Sequence, residues 1–100
     1  MVSVISETVL KSGREADWDA AYRERAADAR NQEGWVDLHL LVPLDRPTSR
    51  VVVGTWRDRA SWEKWHDTEV FRRTREILDE ATESTDADRW FEVVEERTSG

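Results

Sequence analysis

Apolar and polar positions alternate with period two from Val2 to Leu10; Val2, Val4 and Leu10 share one parity, Ile5 and Val9 the other. The run is rich in β-branched residues and predicts a strand. The period then lengthens. Ser12 with Glu15 fits a capping box, and Trp18, Ala21, Tyr22, Ala26 and Ala29 recur at helical spacing. This predicts a helix to about Arg30, ended at Asn31-Gln32-Glu33-Gly34 with Gly34 at positive φ. Trp35 to Val42 alternates again: Val36, Leu38, Leu40 and Val42 form an aliphatic face, and Trp35, Asp37, His39 and Leu41 an aromatic–polar one. Pro43 and Pro47 bound a turn, and Arg50 to Trp56 completes an antiparallel hairpin. Asp58 then caps a short helix to about His66. Thr68 caps a second helix to about Glu83, with Phe71, Leu78 and Ala81 on its apolar side. A polar link, Ser84 to Asp88, leads to a last strand, Arg89 to Arg97, and a frayed end at 98–100.

The order is β-α-β-β-α-β with the second helix broken in two. It predicts an α+β, ferredoxin-like fold with a four-stranded antiparallel sheet. One domain spans residues 1–100, with its core at about 2–96. Helices cover only one face of such a sheet. The other face carries Trp35 and Leu41, and a second copy of the chain would cover it, so a homodimer is expected.

Composition narrows the chemistry. The net charge of −7 and the interleaving of Arg57, Asp58 and Arg59 leave no basic stripe for nucleic acid. The chain has no cysteine, which removes thiolate nucleophiles, disulfides and Cys-ligated metal sites. Two distant histidines, His39 and His66, form no metal-ligand spacing, and four glycines make no phosphate loop. No apolar run reaches membrane-spanning length, so no membrane partner is expected. The start, MVSVISETVL, lacks the basic region of a signal peptide, so a cytoplasmic location is expected.

The segment from Val53 through Trp56, Asp58 and Trp62 to Trp65 and His66 resembles the signature of the antibiotic-biosynthesis-monooxygenase family. There a strand ends in Trp, an Asp or Ser opens a helix, and an aromatic and a Trp follow. Ser12-Gly13-Arg14-Glu15 and Glu33-Gly34-Trp35 resemble two further landmarks, so the likeness covers about residues 2–96. The resemblance implies a dimeric α+β barrel with a pocket between sheet and helices. It also implies a small monooxygenase that acts on an aromatic or polyketide-like substrate without metal or flavin. The haem-degrading branch uses an Asn, a Trp and an iron-ligating His where this chain has Ser6, Trp65 and Arg75. Arginine stays protonated and cannot ligate iron, so haem is not expected and no cofactor is anticipated.

Such an oxygenation needs a base, an orienting donor and a dry cavity. His39 is the expected base, because imidazole titrates near physiological pH; a surface or interface role is the alternative. His66, near a helix C-terminus, is read as a dipole-stabilised residue. Trp65 is expected at the reacting centre and Trp62 and Trp35 as stacking walls. Packing of the helix on the sheet explains the α-helical pair equally. Ser6 and Tyr22 could donate to a substrate oxygen. Arg75 could bind an anionic group or pair with Asp79 at i+4. A non-catalytic dimeric module binding a small ligand, and less readily a haem-binding variant, are the competing readings.

Overall fold

The first alternating run becomes β1 (Val2–Leu10), the central strand of the sheet in the computed structural model. The structure describes residues 1–99; Gly100, at the expected frayed end, lies outside them. After β1 come α1 (Glu15–Ala29), β2 (Trp35–Leu41), β3 (Ser49–Trp56), α2 (Arg59–His66), α3 (Glu69–Ala81), β4 (Thr82–Thr85) and β5 (Arg89–Glu92). The strands lie in the order β2-β3-β1-β4, with β5 also on β1, and every pairing is antiparallel. This is the α+β, ferredoxin-like arrangement the pattern predicts, with one difference at its edge.

The expected fourth strand is two short pieces. β4 pairs with Thr8–Leu10 and β5 with Val2–Ile5. Ser6 and Glu7 therefore face a gap, bridged by one bond from the Asp86 N–H to the Glu7 carbonyl. Helical periodicity carried α3 to about Glu83, but Thr82 instead enters the ladder opposite Leu10. The last strand stops at Glu92 rather than Arg97. β1 begins at Val2, and the bond from the Val93 N–H to the Met1 carbonyl uses its last acceptor.

Two local readings also change. Ser12 does not cap α1, which starts after Arg14 with no side-chain cap. Gly13, at φ +85, instead closes a turn in which the Arg14 N–H donates to the Lys11 carbonyl. In β2 a register shift between Trp35 and Asp37 resets the alternation. Leu38 and Leu40 face the helices as expected, but Trp35 joins them, while Val36 stays exposed.

The other caps hold. The Asp58 carboxylate accepts from the Ser61 N–H at 2.8 Å, and the Thr68 hydroxyl from the Phe71 N–H at 3.3 Å. Gly34 takes φ +87, and its carbonyl accepts from the Arg57 N–H at 2.6 Å. Arg50 of β3, buried, binds Asp19 of α1 through two bonds of 2.8 and 3.1 Å and ties the helix to the sheet.

All three helices lie on one face of the sheet, and the core beneath them is divided. One cluster gathers Leu10, Trp18, Ala21, Tyr22, Leu78 and Ala81; the other gathers Val4, Ala29, Trp56, Trp65 and Phe71. The opposite sheet face, by alternation and register, presents Ile5, Val9, Leu41, Val51, Val53 and Phe91 around His39. Among the described residues no helix is long and apolar enough to cross a membrane.

Candidate functional site

The gap between the two core clusters is a cavity of about 200 Å³. Its floor is the helix-facing side of the sheet, including Val4, Ser6 and Thr8 of β1 and Val52, Gly54 and Trp56 of β3. Its walls are Trp18, Tyr22 and Arg25 of α1, Trp62, Trp65 and His66 of α2, and Phe71, Leu78 and Asp79 of α3. The exposed residues Thr85 and Asp88 also line it and flank the break between β4 and β5. The divided edge strand is thus the cavity's open side, with Ser6 facing the break.

Packed aromatic rings hold the walls. Trp18 and Tyr22, one helical turn apart, lie parallel with centroids 5.0 Å apart. Trp65 packs between Trp56, at 5.4 Å, and Phe71, at 5.1 Å. The indole N–H groups of Trp35, Trp56 and Trp65 are buried without a hydrogen-bond partner among the described residues.

His66 is held between Trp62, with ring centroids 3.8 Å apart, and Phe71, at 4.0 Å. Its Nδ1 lies 2.8 Å from the Trp62 carbonyl, four residues back on α2. A carbonyl only accepts, so Nδ1 carries the proton and Nε2 keeps its lone pair. Burial is the main influence on this ring and pushes its pKa below the ordinary 6.5. The Trp62 carbonyl and Asp88 oppose that shift, while Arg25 and Arg75 add to it. Tyr22 is buried too, and loss of water pushes its phenol well above the ordinary 10, against a smaller effect of Arg25.

Of the residues singled out in the sequence, Ser6, Tyr22, Trp62 and Trp65 line the cavity. His39 does not. It pairs with Val53 on the helix-free face, because Leu38 and Leu40 beside it face inward. Trp35 is drawn into the core by the β2 register shift and packs on the Trp56 cluster outside the lining. Arg75 is exposed, 5.9 Å from the Phe71 ring, and forms no ion pair with Asp79 among the described residues. His66, read from sequence as a dipole-stabilised residue, and Arg25, which the sequence did not single out, both line the cavity. No group of three or more described His, Cys, Asp or Glu side chains is placed to hold a metal.

The sequence model described as antibiotic biosynthesis monooxygenase matches residues 1–77. The chain belongs to that family. The match includes the Trp56, Trp62 and Trp65 cluster and ends before β4 and β5, so the open side of the cavity lies outside it. Several solved structures share the fold. A Nitrosomonas europaea protein described as a candidate antibiotic biosynthesis monooxygenase superposes with a TM-score of 0.87 at 16% identity, covering 95% of this chain and 100% of its own. SnoaB, a cofactor-independent oxygenase from Streptomyces nogalater, superposes at 0.82 with 18% identity, covering 95% and 94%. Rv0793 from Mycobacterium tuberculosis superposes at 0.84 with 15% identity, covering 97% and 98%. At these identities the likeness is one of fold. No curated protein sequence matches the chain.

Proposed function

We propose that this family member is a cofactor-independent monooxygenase acting on a small phenolic or quinol-type aromatic, with His66 as the general base. The observation that carries the reading is the setting of His66: its tautomer fixed by the Trp62 carbonyl, half-buried in an aromatic wall of the cavity, with its pKa held below the ordinary value. SnoaB supports it as a relative in fold that oxygenates without a cofactor. An apolar cavity of about 150 Å³ holds benzene, so about 200 Å³ suits one or two fused rings. A larger polycyclic substrate would project through the break between β4 and β5.

The chemistry follows from the residues. Nε2 of His66 takes the phenolic proton, and the ring becomes an electron-rich phenolate. The phenolate passes one electron to dioxygen, the radical pair combines into a ring peroxide anion, and Nε2 of His66 returns its proton to give the hydroperoxide. Loss of water then leaves a quinone. Phenol and O₂ become quinone and H₂O, so one oxygen atom enters the product. Trp62 and Trp65 stack on the ring, Ser6 and Tyr22 orient its oxygen, and the apolar walls keep water from the intermediates.

The helix-free sheet face fits a second copy of the chain, in line with the family resemblance. A homodimer would cover Ile5, Val51, Val53 and Phe91, which otherwise meet water.

The test is oxygen uptake with a panel of naphthols and quinols under ¹⁸O₂, on the native chain and on His66→Gln. Uptake with one labelled atom per quinone is expected, lowered by about 10²–10⁴-fold in the variant. Binding without uptake across the panel would make this a ligand-binding module. Equal turnover in His66→Gln would remove the base.

A further inference from the structure

The chain buries two arginines in its interior, and they are treated differently. Arg50 is neutralised by the two bonds from Asp19. Arg25 is only 9% exposed and has no carboxylate within ion-pair distance among the described residues. Buried charges are normally paired. Its Nε donates to the Thr74 hydroxyl at 2.9 Å and its Nη2 to the Phe71 carbonyl at 2.8 Å. The guanidinium lies 3.5 Å above the Phe71 ring. These contacts fix the group in place between α1 and α3 without neutralising it, and Nη1 donates to no described residue. Burial lowers its pKa only to about 10, which leaves it cationic at neutral pH.

One helical turn earlier on α1 stands Tyr22, 7% exposed, whose hydroxyl has no hydrogen-bond partner among the described residues. Both residues line the cavity. A fixed buried cation and an unpaired phenolic donor, on the same wall of a small aromatic chamber, lack one complement: an oxyanion. We propose that Arg25 and Tyr22 form an anion subsite, so that the cavity's aromatic ligand carries a carboxylate or equivalent oxyanion on its ring.

Asp79 and Asp88 also line the cavity, and Asp79 acts weakly on Arg25 without pairing with it, but both carboxylates are exposed, and water and salt screen them. Arg25, within, is screened far less. The two carboxylates therefore slow the entry of an anion more than they oppose its seating. Arg25 is a positioning and specificity residue here, distinct from the base His66.

The subsite rests on the aromatic-ligand reading, and a matched pair of probes separates the two. The quenching of tryptophan fluorescence is followed as 1-hydroxy-2-naphthoate or neutral 1-naphthol is added to the native chain, Arg25→Gln, Arg25→Lys and Tyr22→Phe. Native protein should prefer the acid by about tenfold or more, the scale of one charge-assisted hydrogen bond. Arg25→Gln should abolish that preference while changing naphthol affinity by no more than about threefold. Arg25→Lys should retain most of it, and Tyr22→Phe should weaken the acid by more than it weakens naphthol. Near-ultraviolet circular dichroism reports whether each variant keeps its packed core, and Arg25→Lys preserves the charge if Arg25→Gln does not fold. Naphthol binding without preference for the acid, or equal loss of both probes in a folded Arg25→Gln, overturns the subsite alone. Failure of the native chain to bind either probe overturns the aromatic-ligand reading and the subsite with it.

Discussion

Nδ1 of His66 is committed to the Trp62 carbonyl, so protonating Nε2 places a full charge on a half-buried ring held between two aromatic rings. Burial accordingly holds the folded-state pKa below 6.5, while in the unfolded chain the ring titrates near that ordinary value. Folding therefore gains from the neutral ring above about pH 6.5, and that gain is lost as pH falls through the lower folded-state value. Thermal unfolding of the native chain should show a larger drop between about pH 7.5 and pH 5 than His66→Gln does; parallel curves would mean that protonating His66 costs the folded state nothing. The same shift moves the acid limb of catalysis below pH 6.5, where Nε2 loses its lone pair. In the sequence His66 reads as a dipole-stabilised helix-end histidine and not as a base. Its spacing of four from Trp62 puts both on one side of α2. Arg25 carried a plainer signal: it sits seven after Trp18 and four before Ala29, on the apolar stripe of α1. A charge at such a position is either paired or waiting for a partner.

At the scale of elements, the turn after α1 sets how β2 and α2 meet. A Cβ built on Gly34 would lie 2.3 Å from the Ser61 hydroxyl oxygen and 2.7 Å from its Cβ. Ser61 is buried, and its N–H and hydroxyl both bond the Asp58 cap. Gly34→Ala should cost at least about 1–2 kcal/mol for the left-handed backbone alone, with more from displacing Ser61 and loosening the α2 cap. Chemical denaturation measures this, and a midpoint equal to the native one would mean that α2 shifts freely. The edge strand obeys a different logic. β4 and β5 occupy one sheet position but each binds its own stretch of β1. The polar run around Asp86 and Asp88 read in sequence as a link before the last strand. It is in fact a break within that strand position, and it opens the cavity at the edge of the sheet.

Considered whole, the molecule has one sheet face under helices and one bare. Val53 lies on the bare face between Ile5 of β1 and His39 of β2. Val53→Arg would place an unpaired charge at the centre of a self-association surface, a cost of several kcal/mol. Sedimentation should show a native dimer and a folded variant whose dimer dissociation constant is raised about 100-fold or more. A native chain that sediments as a monomer would release that face from the role assigned to it. His39 then has a natural place as an interface residue on the shared face, remote from the cavity.

The amino-acid pattern alone determined the order of elements, the caps at Asp58 and Thr68, the family likeness around Trp56, Trp62 and Trp65, and the exclusion of thiolate chemistry. These depend on residues a few positions apart, where period, propensity and side-chain caps act within one element. Only the folded chain decided that Trp35 turns inward, that the last strand is broken, and that His66 and Arg25 meet the same cavity. Each of those depends on partners brought together from distant parts of the chain. Trp35 follows the register of β3, the break follows the length of β1, and Arg25 is fixed by Phe71 and Thr74 of α3. Packing against a neighbour outweighs a single strand's alternation, so which side chains converge is settled by tertiary contact rather than by local pattern.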